Sequence, residues 1–190
     1  MQVANTYQIK IDQKADPLLL NKATYIVILH AHRVPPHIGM IIGKEYHSLT
    51  IKGHELNVST EALMRNISQR KITSLFVEIK QHPTFSQDYL KEHFITNIRN
   101  YSKVKVGHAT CLSPIKDFFE ENYSLEKEQV NYLFELLPVL QEQGLIRSCS
   151  AAFIDENDFQ LPVYSLSELN DGINKANDEA AKLNKNKNKN

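Results

Sequence analysis

Cysteine is nearly missing from this chain: Cys111 and Cys149 are its two in 190 residues. Two thiols cannot build the framework of bridges that holds a small secreted domain together. With no export signal they are expected to be reduced, in a cytoplasmic compartment. Net charge is missing too, since 22 Lys and Arg balance 22 Asp and Glu. That removes the electrostatic footprint of a protein that binds nucleic acid or an anionic membrane, so partners have to be recognised by local chemistry. Nowhere do about eighteen apolar residues run together, and Met1 to Lys14 has no basic stretch leading into a long apolar one, which speaks against a membrane span and against export. What is present, 42% apolar residues in a chain of this length, suffices for one core. The expectation is a single α+β domain over residues 1–164 and a weakly helical to disordered polar tail over 165–190, where Lys-Asn alternation offers no surface to bury.

Taken in order, Tyr7, Ile9 and Ile11 alternate with polar residues as a half-buried strand does. Asp16-Pro17 starts a short turn or helix. Thr24 to Leu29 is a β-branched, apolar run that fits a strand buried on both faces. After a hairpin, Ser59 or Thr60 caps a helix, Ser74 to Lys80 reads as a strand, and Ser86 caps a helix carrying Leu90, Phe94 and Ile98 on one stripe. Ser124 is read as the cap of the longest helix, Leu125 to Gln143, kinked at Pro138 and ended by Gly144. Leu145 to Phe153 and Phe159 to Tyr164 then predict a hairpin, giving the domain a helix-hairpin extension at its C-terminal end.

Chemistry-bearing residues gather in two places. Five of the eight histidines, His30, His32, His37, His47 and His54, fall close together. Pro35 to Gly53 reads as a β-hairpin with His37 at its mouth and His47 on the return strand. If the turn were Gly43-Lys44 alone, Met40 would oppose His47 and the two rings would point apart. A three-residue loop of Gly43, Lys44 and Glu45 would align them, and an odd-numbered loop is the expectation. Cys111 lies in Gly107-His108-Ala109-Thr110-Cys111-Leu112-Ser113-Pro114, at the start of a helix whose positive end favours thiolate. That helix begins either at Ser113-Pro114, leaving Cys111 outside, or at Cys111 with Thr110 as cap. Cys149, on a predicted strand, reads as structural. His108 is a rival base by proximity in sequence, although partners in such sites normally come from different elements. His30-x-His32 on a strand would also put two rings on one face for a metal, with His37 or Cys111 joining them.

The order His37, hairpin, His47, helix, Cys111 resembles the circularly permuted papain-like cysteine hydrolases, the NlpC-related group with lecithin:retinol acyltransferase-like and PPPDE-like members. The resemblance covers roughly residues 37 to 120. It implies an antiparallel sheet packed on helices, with Cys111 as nucleophile, His37 as general base and His47 as the residue that orients it. It also implies hydrolysis or transfer at an amide, peptide or ester carbon through a thioacyl intermediate, on a peptide, amide or acyl substrate, with no cofactor and no metal. Departing from several branches of that group, Cys111 follows Thr110 rather than an Asn. The alternative is a non-catalytic protein-binding or scaffold domain in which helix 125–143 and hairpin 145–164 form a winged-helix-like element. Its acidic Asp155-Glu156-Asn157-Asp158 tip favours a protein partner over DNA.

Overall fold

Six residues that each favour extended backbone, Thr24–Leu29, form the buried central strand β3 of a seven-stranded sheet. The computed structural model describes residues 7–187, with side chains through Leu183. On one side of β3 lie β4 (His37–Ile42), β5 (Glu45–Thr50) and β6 (Gly53–Ser59). On the other lie β7 (Ser74–Ile79), β8 (Ile146–Ala152) and β2 (Gln13–Lys14). Every pairing is antiparallel except β2 with β8, and β1 (Gln8–Lys10) pairs separately with β9 (Asp158–Gln160).

Strand alternation sends Ile26, Ile28, Ile38, Met40 and Ile42 to one face, under α3 (Gln87–Arg99), α4 (Ser113–Tyr123) and α5 (Leu133–Glu142). Tyr25, Val27, Leu29, Ile41, Tyr46 and Phe76 go to the other, against Leu20 of α1 (Pro17–Leu20) and Leu63, Met64 and Ile67 of α2 (Thr60–Arg70). Each such aliphatic side chain contributes about 1.5–3 kcal/mol when fully buried, so both faces are load sharers in the fold. The α+β class and the mostly antiparallel sheet packed on helices agree with the sequence reading. No helix among the described residues is long and apolar enough to cross a membrane.

Three expectations at the C-terminal end are overturned. Ser124 does not begin a helix; it ends α4 in the left-handed region at φ 57°, and a 3-10 turn, Lys127–Gln129, precedes α5. The start of α5 is instead held by Glu135, whose carboxylate accepts from the N–H groups of Asn131 and Tyr132. The predicted 145–164 hairpin does not form, because β8 enters the large sheet beside β7 while β9 leaves it to pair with β1. A wing is therefore absent from these described residues, and the winged-helix-like element goes with it. Finally, residues beyond Ser165 are not a loose tail: α6 runs Leu166–Lys187, with Leu169 and Ile173 buried. Only the last three residues of the predicted disordered stretch lie outside the described ones.

Candidate active site

The β4–β5 turn decides which side chains meet. Gly43 adopts φ 68° and Lys44 does not have positive φ, the pattern of a two-residue turn with glycine first. The register follows: Ile42 opposes Glu45, Ile41 opposes Tyr46, and Met40 opposes His47. The odd-numbered loop is thus contradicted. Three hydrogen bonds anchor the turn. Gln87 Oε1 accepts from the Gly43 N–H at 2.6 Å, and the Lys44 carbonyl accepts from the N–H and hydroxyl of Thr60 at 3.1 and 2.8 Å.

His47 is consequently seated on the face opposite His37 and cannot orient it. Its ring is fully buried, its edge against Phe94 with centroids 6.4 Å apart, and its Nδ1 accepts the Asn57 N–H at 3.1 Å where β5 and β6 slip register. Nε2 then carries the proton and is buried with no partner among the described residues. Burial pushes this imidazole down to about 4, against an opposing pull from Glu45 that exceeds the small downward push of the Lys91 ammonium. Its role is to satisfy a bulge.

Ser48 takes the place expected of His47. His37 Nε2 lies 3.2 Å from Ser48 Oγ, and Ser48 Oγ donates to Glu55 Oε2 at 3.0 Å across the β5–β6 pair. Because the Ser48 hydroxyl spends its one proton on the carboxylate, it accepts from His37, which fixes the proton on Nε2 and leaves Nδ1 as the free base. His37 is half-buried in a dense surround, and that burial, with a smaller contribution from His30, lowers its imidazole to about 4. Gly39, two residues on from His37, makes room for Tyr46: a Cβ there would sit 2.5 Å from the Tyr46 ring. The Tyr46 hydroxyl lies beside Ser48 but makes no hydrogen bond of acceptable geometry, and it is buried with no partner among the described residues.

Cys111 approaches from the other direction. It sits one turn before α4, as the Ser113-Pro114 reading expects, in a bend where Ser113 Oγ accepts the Thr110 N–H at 3.0 Å and Thr110 Oγ1 accepts the Leu112 N–H at 3.2 Å. The bend is tied to the end of β5 by the Val104 N–H, which donates to the Thr50 carbonyl at 2.9 Å. The half-buried thiol faces the backbone N–H groups of Ile38, Cys111 and Leu112. Ile38 follows His37 directly, just past the point where the β4–β5 ladder ends at Met40 and His47. Burial outweighs those three donors and pushes the thiol up to about 11. The thiol thus meets the Ile38 N–H, one residue on from His37, while packing with the core under α3, α4 and α5, whereas the His37 side chain takes the Gly39 and Ser48 face; both groups are neutral and make no hydrogen bond with each other among the described residues.

The other candidates disperse. His30 leaves β3 at φ 52°, so it is not on a strand; His32 packs edge-on against Phe159 at 4.9 Å; His54 bonds the Tyr101 carbonyl at 2.6 Å. No group of three or more His, Cys, Asp or Glu among the described residues could hold a metal ion. His108 is exposed, and Cys149 is buried in β8, as its structural reading expects. Two clefts among the described residues lie elsewhere. One, of about 580 Å³, borders the Gly43-Lys44 turn and Lys91, and the other, of about 310 Å³, borders Glu78 and Arg147. Neither reaches Cys111 or His37, and their walls are mixed in charge, with the ion pairs Lys91–Glu45 and Arg147–Glu78 among them.

Ser48 and Glu55 carry no motif, so only the correct turn length, which puts Ser48 on the His37 side, would have found them. Compared with known proteins, the chain matches no family model, and neither the curated proteins nor the solved structures yield one similar to it.

Proposed function

We propose that this protein is a cysteine hydrolase or acyltransferase of the permuted papain-like type, in which Ser48 and Glu55 replace His47 as the residues that orient His37. One observation carries the reading: the Cys111 thiol lies against the Ile38 N–H, next to His37, while the far nitrogen of His37 is tethered through Ser48 to Glu55. In the reaction, Nδ1 of His37 accepts the Cys111 proton as sulfur attacks the acyl carbon of an amide, peptide or ester. The Cys111 backbone N–H donates to the developing oxyanion. The imidazolium then protonates the leaving amine or alcohol, and water or another acceptor releases the acyl group from sulfur. A neutral resting pair means that proton transfer accompanies attack, rather than preceding it as in a preformed thiolate–imidazolium pair. Catalytic hydrogen bonds are often long before substrate is bound, and His37 has to reach Cys111 in that complex.

The test is acylation by a chromogenic ester, read by intact mass. The expected adduct is on Cys111, absent in Cys111→Ser, and formed about 10²–10⁴-fold more slowly in His37→Asn. Equal acylation of wild type and His37→Asn would remove the base. A second reading, a non-catalytic protein-binding domain, is favoured by one fact, that neither of the two clefts described above borders Cys111. It requires that no adduct form on Cys111 at all.

A further inference from the structure

Residues 161–173 pack into the core that Cys111 borders and against the loop that leads into His37. Leu161 is buried and its N–H donates to the Tyr7 carbonyl at 3.0 Å, fixing where the segment starts. Tyr164, buried, packs edge-on against Tyr132 and Phe134 with centroids 5.5 and 5.3 Å away, and lies within electrostatic reach of the Cys111 sulfur. The chain then turns into α6 through a reciprocal cap: Ser165 Oγ accepts the Glu168 N–H at 3.3 Å, and Glu168 accepts from the Ser165 N–H at 2.8 Å and from its hydroxyl at 2.9 Å. Two turns on, Gly172 lies on the loop that leads into His37. A Cβ at Gly172 would stand 2.3 Å from Pro35 Cδ and 3.0 Å from the Val34 carbonyl oxygen, so only glycine permits that approach.

The attachment is thin. Between Leu166 and Leu183, Leu169 and Ile173 are the buried residues, and the rest of the helix is half-buried or exposed. A helix held by two apolar side chains and one glycine seat belongs to the low-stability part of a fold, the part that opens locally while the core stays closed.

We propose that the segment Leu161–Ile173 is a strap that closes the Cys111–His37 site, joined to the thiol side through Tyr164 and to the His37 loop through Gly172, and that lifting α6 uncovers the thiol. The strap rests on reading Cys111 and His37 as one site, but its test reads thiol access and not turnover, so either idea can fail alone. Closure accords with the two described clefts both lying away from Cys111 and His37.

The experiment is alkylation of full-length protein by iodoacetamide, with Cys111 and Cys149 followed separately. Gly172→Ala introduces the Pro35 clash while favouring the helix itself, so it loosens docking without unwinding α6. Cys111 alkylation is expected to rise by up to a hundredfold, the gain in thiolate when a thiol at about 11 returns to its ordinary 9. Cys149 should stay protected. Faster amide exchange in α6 with Cys111 alkylation unchanged would overturn the strap. Should the variant unfold, exposing Cys149 as well, wild-type protein in rising urea decides. Cys111 alkylation and α6 amide exchange should then report one shared opening, below the global transition. A Cys111 that opens only together with Cys149 would overturn the proposal.

Discussion

At the scale of single residues, the decisive ones are small. Gly39 and Gly43 determine which side chains face His37, one by admitting the Tyr46 ring and the other by making a two-residue turn possible. Gly39→Ala is expected to destabilise the fold by about 1–3 kcal/mol, the usual cost of forcing a methyl into a packed site. Chemical denaturation of Gly39→Ala with and without Tyr46→Leu checks it, since the smaller ring-free side chain should recover most of the loss. His37, His47 and Cys111 were legible as candidates from the sequence, because residue type and neighbours are local information. That His37 and His47 face apart was not, because it turns on whether Glu45 belongs to the loop or the strand. A shift of one residue reverses every side chain of β5, and a composition of Gly-Lys-Glu does not choose between the two.

Among the elements, legibility followed burial. The runs Thr24–Leu29 and Ser74–Ile79, and the helices capped by Ser59 and Ser86, could be read because periodicity and caps coincide there. The 124–164 stretch misled because Ser124 precedes an apolar stripe yet is needed in left-handed conformation to end α4, and because β8 and β9 find partners far away in sequence. In α6 the signal was present but short: Ser165-Leu166-Ser167-Glu168 is a capping box, and Leu169 and Ile173 are four apart. Two element-scale outcomes follow. Phe118→Ala, which empties the junction of α4 with Phe94 and Phe119, should cost about 3–5 kcal/mol in urea unfolding. Truncation after Ala180 should leave the melting temperature unchanged, since the described side chains beyond it are exposed. Leu169→Ala, by contrast, should lower stability by about 2 kcal/mol or more.

For the whole molecule, buried titratable groups define a pH window. His37 and His47 both stand near 4 when folded against an ordinary 6.5, so below 6.5 the unfolded chain binds more protons than the folded one. Stability is expected to be full above about 6.5 and to be lost as pH falls toward 4, with His47 alone contributing about 3 kcal/mol at most. At the other end, Cys111 near 11 and Cys149 near 12 keep their protons after the unfolded thiols, near 9, have lost theirs. Stability should therefore fall again as pH rises through 9 to 12. Urea midpoints from pH 4 to 11 would map this dome, and His47→Asn should shrink its acid flank if the bulge tolerates an amide.

The pairing of β1 with β9 and of β2 with β8 has a consequence for how the chain comes off the ribosome. Gln13 waits for Ser150 and Gln8 for Gln160. At about 5–20 residues added per second the interval is roughly 7–30 s. For the later part of it, roughly 3–15 s after its own synthesis, β7, with Phe76 and Val77 in its middle, is the outermost strand of a nascent sheet, its backbone donors and acceptors unmatched on one side. Until Ile146–Ala152 arrives to cover that edge, the growing polypeptide offers neighbouring chains on the same message a template for misassociation.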